Sequence, residues 1–300
     1  MSIPTVCAIV LDYYGAEITQ KCLISLIGQG LKTIYVLDNS QKGEAAATLH
    51  KALDQVRARG PDFEINVLSA ASNLGFGKGV NFVIAHDRQA HMSHDYYLLL
   101  NNDAVAGPGL VVGLLQALKQ QPEAVLAAPR VVSSDSSERE QGVWYHRYLG
   151  LLYSRPGRFR FHYFTGCCLL FSRRLVGDAP LFDEAFFMYG EDTELGFRLN
   201  RAGHKTIYAD SVYIQHEYGP SVDRSSFFYE YHMNRCHILL SVMTWRYRAE
   251  IPVLLSAKYL ALFFRAAIRS VKHRSVIPLL ALSVASLPIS ASRFQLTKTA

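Results

Sequence analysis

The chain has 300 residues, of which 50% are hydrophobic, 12% aromatic and 19% charged. That is core enough for one large domain or two small ones, and too apolar for a chain that is mainly disordered. The formal net charge of +6 is unevenly placed: residues 251–300 hold seven Lys/Arg and no Asp/Glu, leaving 24 basic against 25 acidic residues in 1–250. A globally basic nucleic-acid binder is thereby excluded, and the excess points to a local interaction of the tail.

Cys7, Cys22, Cys167, Cys168 and Cys236 form no CxxC pair and no His/Cys ligand spacing, which fits small buried thiols in a reducing compartment. Val6 to Leu11 has no basic residue before it and no cleavage pattern, so it is a first strand rather than a signal peptide. The longest uncharged stretch, Ser275 to Ser292, contains five Ser and two Pro and makes a poor membrane span.

In chain order, the Val6 to Leu11 strand is followed by a helix with apolar Ile18, Cys22, Leu26 and Ile27 that stops near Gly30. A second buried strand spans Ile34 to Leu37. Glu44 to Arg59 sets Ala45, Leu49, Leu53 and Val56 on one helical face and ends at Gly60-Pro61. A third strand, Glu64 to Leu68, leads through the Gly-rich Asn73 to Asn81 segment into another helix. Tyr96 to Leu100 is a fourth strand, and Pro108 to Gln121 a helix with Pro in its first turn. Strands alternating with helices imply an α/β domain with a mostly parallel sheet and right-handed crossovers. Ser133 to Arg160 breaks the pattern and is expected as a flexible surface loop.

Ligands of such sheets bind outside the carboxyl ends of the strands. Those ends carry Asp12-Tyr13-Tyr14, Asp38-Asn39-Ser40, Ser72-Asn73 and Asn101-Asn102-Asp103. Asx residues are common in turns, but four consecutive strand ends bearing them favour a polar, phosphorylated ligand. Asn73 to Asn81 is neither a GxGxxG nor a Walker A loop. It offers either a backbone approach to a diphosphate at a helix start or a flexible turn. Asp103 after a buried strand suits a divalent cation, or an Asx turn into the next helix. Gly190-Glu191-Asp192 opens a helix in which Asp192 is either a simple N-cap, with Glu194 pairing Arg198, or a base set beside the apolar Phe186 to Tyr189. His216 follows the Ile207 to Ile214 run.

Taken in order, Val6 to Tyr13, Asp38-Asn39-Ser40, Asn73 to Asn81, Leu100 to Asp103, Gly166, Phe182 to Phe187, Gly190-Glu191-Asp192 with Arg198, and His216 resemble glycosyltransferase family 2, especially its rhamnosyltransferase-like branch. The resemblance covers roughly residues 4–235. It implies a GT-A fold over residues 1–235, with a helical, basic C-terminal extension over 236–300, and inverting sugar transfer from a nucleotide-diphosphate donor. By the same resemblance Asp38 is the nucleobase-binding Asp, and Tyr13 borders the base. Asn73, Gly75, Asn81 and Asn101 line the donor pocket. Asp103 and His216 hold Mg2+ or Mn2+, Asp192 is the general base, and Glu191 and Arg198 support it.

Several positions depart from the family pattern. Asn101 replaces the first DxD carboxylate, which implies a weaker metal site. Tyr14 stands where Asn usually follows the Tyr, Gln41 to Gly43 lacks the usual Asp, and Met233-Asn234 replaces Arg-Asn. The implied donor is dTDP- or UDP-linked, rhamnose or a similar sugar, and the implied acceptor is a cell-envelope glycan or lipid-linked saccharide. Two alternatives stay open: a non-catalytic nucleotide-sugar or glycan-binding relative, and a nucleotidyltransferase. The second is disfavoured because residues 1–30 carry only Lys21 as a basic residue. In the tail, Leu254, Leu255, Tyr259, Leu262, Phe263, Ala266 and Ala267 alternate with Lys258, Arg265, Arg269, Lys272 and Arg274. This is expected either as an amphipathic helix on an anionic membrane, which would make the protein cytoplasmic and peripheral at the inner face, or as a packed extension joining a homo-oligomer.

Overall fold

Aliphatic runs become strands, and the helical periods between them become the layers that cover those strands. The structure, a computed structural model, describes residues 4–40, 43–90, 94–133, 138–139, 142–176, 179–216 and 223–287. The first half alternates β1 (Val6–Asp12), α1 (Ala16–Ser25), β2 (Thr33–Asp38), α2 (Gly43–Arg57), β3 (Glu64–Ser69), α3 (Phe76–Gln89) and β4 (Tyr96–Leu100). It continues with β5 (Ala104–Ala106), α4 (Leu110–Gln120), β6 (Ala124–Val132), β7 (Glu138–Arg139), β8 (Gly142–His146), β9 (Leu152–Tyr153), β10 (Arg160–Phe164) and β11 (Cys168–Ser172). Then come α5 (Arg173–Val176), α6 (Glu191–Arg201), β12 (Lys205–His216), α7 (Phe227–Met243), α8 (Ile251–His273) and α9 (Ile277–Ala285).

The main sheet runs in the order β3-β2-β1-β4-β11-β6-β12-β5. Its first four strands are parallel, β11 enters antiparallel between β4 and β6, and β12 runs parallel to β6. Because side chains alternate across a strand, Val6, Ala8 and Val10 pack with Leu23, Leu49 and Leu114 of α1, α2 and α4. Cys7 and Ile9 face the other way, to Val80, Val83 and Ile84 of α3 and Leu195 of α6. The sheet is thus buried on both faces, as its near-continuous apolar strands require.

The structure corrects three local expectations. Ile18 is exposed; the buried face of α1 is Thr19, Cys22 and Leu23, and the regular helix ends at Ser25. The Ser133 to Arg160 segment is not simply a flexible loop: β8 and β9 join β10 in a second, three-stranded sheet. Tyr145 and Phe161 of that sheet pack against Phe197 of α6 and Cys236 and Leu240 of α7. Polar neighbours hid this alternation in the sequence. Ser134 to Ser137 lie outside the described residues.

The third correction concerns the tail. The side chains of Lys258, Arg265 and Arg269 do not form an outer basic edge. Lys258 is fully buried and its Nζ donates to the Tyr145 hydroxyl at 2.7 Å. Arg265 and Arg269 bind both carboxylate oxygens of Glu230, itself fully buried on α7. A buried carboxylate without cations would carry a large desolvation cost, and this demand turns the arginines inward. Residue 236 falls inside α7, which contributes Cys236 and Leu240 to the cluster with β8, β10 and α6 and Tyr231 and Ile238 to the cluster with α8 and α9. Residues 288–300 of the tail lie outside the described residues.

Candidate active site

Hydrogen bonds link the carboxyl ends of β1, β2 and β4, the start of α3, the start of α6 and the end of β12 along one edge of the sheet. At the end of β1, buried Asp12 accepts the Thr19 hydroxyl, and Thr19 accepts the Asn102 amide at 3.0 Å. This chain fastens the loop after β4 to the first helix, a positioning role that the sequence reading did not single out. Burial raises the Asp12 carboxyl from its ordinary value, against the opposing hydrogen bond from Thr19. Tyr14 adopts a left-handed conformation (φ 54°) and donates to the Ser40 carbonyl at 2.6 Å.

Asp38, Asn39 and Ser40 are all buried at the end of β2. Asp38 Oδ1 accepts the Ser40 backbone N–H at 2.9 Å. Asn39, not a predicted site residue, clamps the glycine-rich loop from both sides: its amide nitrogen donates to the Gly75 carbonyl at 3.1 Å, and its oxygen accepts the Leu74 N–H at 2.9 Å. Asn73 Oδ1 accepts the Gly75 N–H at 2.9 Å, and the Asn73 side chain also hydrogen-bonds Tyr13. Tyr13 and Asn73 therefore stand together beside the glycine-rich loop.

The glycines are there for close packing rather than as a flexible turn. Gly75 has φ +75°, and a Cβ there would lie 2.1 Å from the Phe187 carbonyl oxygen, the same oxygen that accepts the Phe76 N–H. A Cβ at Gly79 would meet Leu11 of β1 at 2.7 Å. Asn81 is engaged in the same contact: it donates to the Phe182 carbonyl at 2.8 Å and accepts the Phe182 N–H at 3.1 Å. Its amide holds the 182–190 segment against α3, which in turn fixes where α6 begins.

α6 starts at Glu191 after Gly190, whose φ of +91° and 2.6 Å approach to Cys236 Sγ by a would-be Cβ leave no room for a side chain. Asp192 Oδ2 accepts the Gly166 N–H at 3.1 Å, and Oδ1 accepts the Thr193 N–H at 2.6 Å. Burial nevertheless raises the Asp192 carboxyl above the usual range, outweighing those donors. Glu191 is pushed up further, first by burial and then by the charge of Asp192, and its Oε2 is buried without a hydrogen-bond partner among the described residues. Arg198 points elsewhere, to Glu194 one turn back and to the Leu181 carbonyl.

The β5–β12 register pairs Ala104 with His216, and this sets His216 Nε2 3.0 Å from Asp103 Oδ1. Asn101 is tied through its backbone N–H to the Cys167 carbonyl at 2.9 Å, while its side-chain Oδ1 is buried without a partner among the described residues. Residues 166 and 167 thus bridge the two halves: Gly166 holds Asp192, and Cys167 holds the strand end leading to Asp103. The Cys167 thiol, raised to about 11 chiefly by burial, feels the charges of both Asp192 and Asp103. A cluster of three candidate ligands, Cys7, Asp87 and His94, occupies the opposite ends of the strands. There Asp87 accepts the Tyr97 hydroxyl at 2.7 Å and lies 3.1 Å from His94 Nδ1.

Comparison with known proteins gives the family and the fold. Residues 4–236 match the family described as Glycosyltransferase like family 2. Over 187 residues the chain is 29% identical to N-acetylglucosaminyl-diphospho-decaprenol L-rhamnosyltransferase from two strains of Mycobacterium tuberculosis, covering 53% of this chain and 61% of each relative. The chain therefore spans less than two thirds of the length of these curated relatives. Among solved structures, it superposes on a mannosyltransferase from Pyrobaculum calidifontis in complex with GDP-Man and Mn2+ (TM-score 0.55, 14% identity, 97% of this chain and 77% of that one). It also superposes on GalNAc-T7 with UDP, GalNAc and Mn2+ (TM-score 0.56, 10% identity, 94% of this chain and 56% of that one). At these identities the superpositions speak for the fold, a mixed sheet of GT-A type. This chain belongs to the glycosyltransferase-like family 2.

Proposed function

We propose that the chain is an inverting glycosyltransferase that moves rhamnose or a similar sugar from a dTDP- or UDP-linked donor to a hydroxyl of a lipid-linked saccharide or cell-envelope glycan at the cytoplasmic face of the membrane. The observation that carries this reading is the bridge at residues 166–167. A carboxyl raised by burial, Asp192, is fixed at one end, and the strand end that leads to the Asp103–His216 pair is attached at the other. The curated relatives are named for a diphosphate-linked polyprenyl acceptor and a rhamnosyl donor sugar, which supports both substrate classes.

The donor set suits a divalent cation. Asp103 supplies a carboxylate oxygen, His216 an imidazole, and Asn101 an amide oxygen with no hydrogen-bond partner among the described residues, all acceptable to Mg2+ or Mn2+. A cation held by Asp103, His216 and Asn101 would supply neutralisation of the charge that develops on a nucleoside diphosphate leaving group. Asp38, Tyr13 and Asn73 would border the nucleoside, with Gly75 and Asn81 setting the shape of that wall through Phe187 and Phe182. Asp192 takes the proton from the acceptor hydroxyl as its oxygen attacks the anomeric carbon. The bond to the diphosphate oxygen breaks on the opposite face, the leaving group keeps the electron pair, and the configuration inverts. A carboxyl raised above its usual range is the better base for this step. Glu191, whose pKa is also raised, can stay protonated beside it and avoid a second adjacent charge.

The test is incubation of the purified chain with dTDP-rhamnose, UDP-hexoses and a polyprenyl-diphosphate saccharide, with nucleoside diphosphate release and product mass as readouts. Glycosylated lipid product from at least one pair supports the proposal. Tight donor binding with no turnover for any pair would favour a binding relative instead.

A further inference from the structure

The C-terminal helix α8 is inverted relative to an ordinary surface helix. Lys258, Arg265 and Arg269 face inward, on Tyr145 and Glu230, whereas its outer side carries Val253, Leu260, Phe263, Phe264, Ile268 and Val271, each between 53% and 80% exposed. Steps of seven, four, four and three from Val253 through Leu260, Phe264 and Ile268 to Val271 keep one helical face. At 1.5 Å per residue the stripe runs for about 27 Å. Exposed apolar patches on soluble monomers rarely extend so far without a partner. α9, which packs beside α8, exposes Leu280 as well.

The ends of the stripe differ from its middle. Arg246, Tyr247 and Arg248 are exposed just before α8, next to Trp245, and Lys272 and Arg274 are exposed at its far end. Basic and aromatic residues bracketing an apolar face are the pattern of the membrane interface. The helix is long and apolar enough to cross a bilayer, but its inner side is bound to the body through Lys258 and through Glu230 on α7, so it lies flat instead. A second copy of the chain fits this face poorly. Two such helices paired in either direction would set basic ends against basic ends: residues 251–300 hold no acidic residue, and Glu250 at the start of α8 is already engaged by Arg147.

We infer that the outer face of α8 inserts into the interfacial layer of a lipid bilayer, with the helix axis in the membrane plane and its basic ends among the headgroups. The apolar side chains, not the net charge, supply the anchorage. This inference stands apart from the sugar chemistry and is tested without it.

The test is co-sedimentation of the full chain with vesicles of phosphatidylcholine, alone or mixed with phosphatidylglycerol, at low and high salt. Wild-type chain is expected on both vesicle types and to remain bound at high salt. Leu260→Gln/Phe264→Gln, both at exposed positions, should keep the melting temperature and weaken partitioning at least about tenfold, given the transfer energy of two large apolar side chains. Arg246→Gln/Arg248→Gln should lose only the enhancement by phosphatidylglycerol. Wild-type-like binding by the Leu260/Phe264 variant would overturn the inference, as would complete release of wild type by salt. A dimer in sedimentation equilibrium that this variant dissociates, without vesicle binding by wild type, would assign the face to a second copy and also overturn it.

Discussion

His216 Nε2 lies 3.0 Å from Asp103 Oδ1 across 113 residues of sequence, because the antiparallel register of β5 and β12 pairs His216 with Ala104. If this pair and Asn101 hold the cation, exhaustive chelation should abolish nucleoside diphosphate release and added Mn2+ or Mg2+ should restore it. His216→Gln should raise the metal concentration needed for half-maximal activity by on the order of tenfold to a hundredfold, with an unchanged melting temperature in the absence of metal. Full activity of the chelated chain would remove both residues from that role.

Asp192 is the residue whose loss should separate binding from transfer. Asp192→Asn keeps its size and can still accept the Gly166 N–H. Donor affinity by calorimetry should stay within a few-fold of wild type, while turnover falls by roughly 10²- to 10⁴-fold, the usual worth of a general base. A folded variant with near-normal turnover would exclude Asp192 as the base.

Glu191 is held above its ordinary value by burial and by the neighbouring charge of Asp192. Between its unfolded and folded pKa values the native state keeps a proton that the unfolded chain has released, so folding stability falls as pH rises through that window. Glu191→Gln mimics the protonated form. It should be more stable than wild type at pH 8, by on the order of 1–3 kcal/mol, and about equal at pH 4.5. Urea unfolding at the two pH values checks this.

Gly75→Ala should be costly for a stated reason: φ is +75° and the added carbon falls 2.1 Å from a backbone oxygen of Phe187. A loss of about 2 kcal/mol or more is expected, with weaker donor binding because Asn39 and Asn73 both grip this residue. Gly28→Ala provides the control, since Gly28 shares the left-handed conformation (φ +78°) but has open space around it. It should lose only the conformational part.

Lys258 is lowered to about 7 by burial. From there up to the unfolded value of 10.5 the unfolded chain binds the extra proton, so this residue makes stability rise with pH, by up to about 1.4 kcal/mol per unit. In Lys258→Met that contribution disappears. The difference in stability between wild type and variant should therefore shift in favour of wild type between pH 6.5 and pH 9; a constant difference would place a charged lysine in the folded protein.

Much of the frame was readable in one dimension. Periodicity gave β1 through β4 and the helices between them, because strands buried on both faces are nearly uninterrupted apolar runs and their covering helices carry a 3.6-residue stripe. The strand-end Asx residues drew attention because such sheets place ligands beyond the carboxyl ends of their strands, and Gly190-Glu191-Asp192 because it opens a helix just after the apolar Phe186 to Tyr189 run. The small sheet of β8, β9 and β10 was not legible: its strands are short and half-exposed, and Tyr145 declares its burial only through Phe197 and Cys236. Asn39 and Asn81 stood in the motifs, but that they act by holding the Gly75 loop and the Phe182 segment became visible only with their partners fixed in space.

The tail shows where the sequence stops. It determined that residues 251–300 are apolar, basic and free of acids, and that they form helices. It could not determine which way the charges point, because the same residues spaced at helical intervals can face water or protein. The tertiary structure decided this through one residue, Glu230: a carboxylate buried on α7 needs cations, so Arg265 and Arg269 turn inward and the aliphatic and aromatic side of α8 is left facing out.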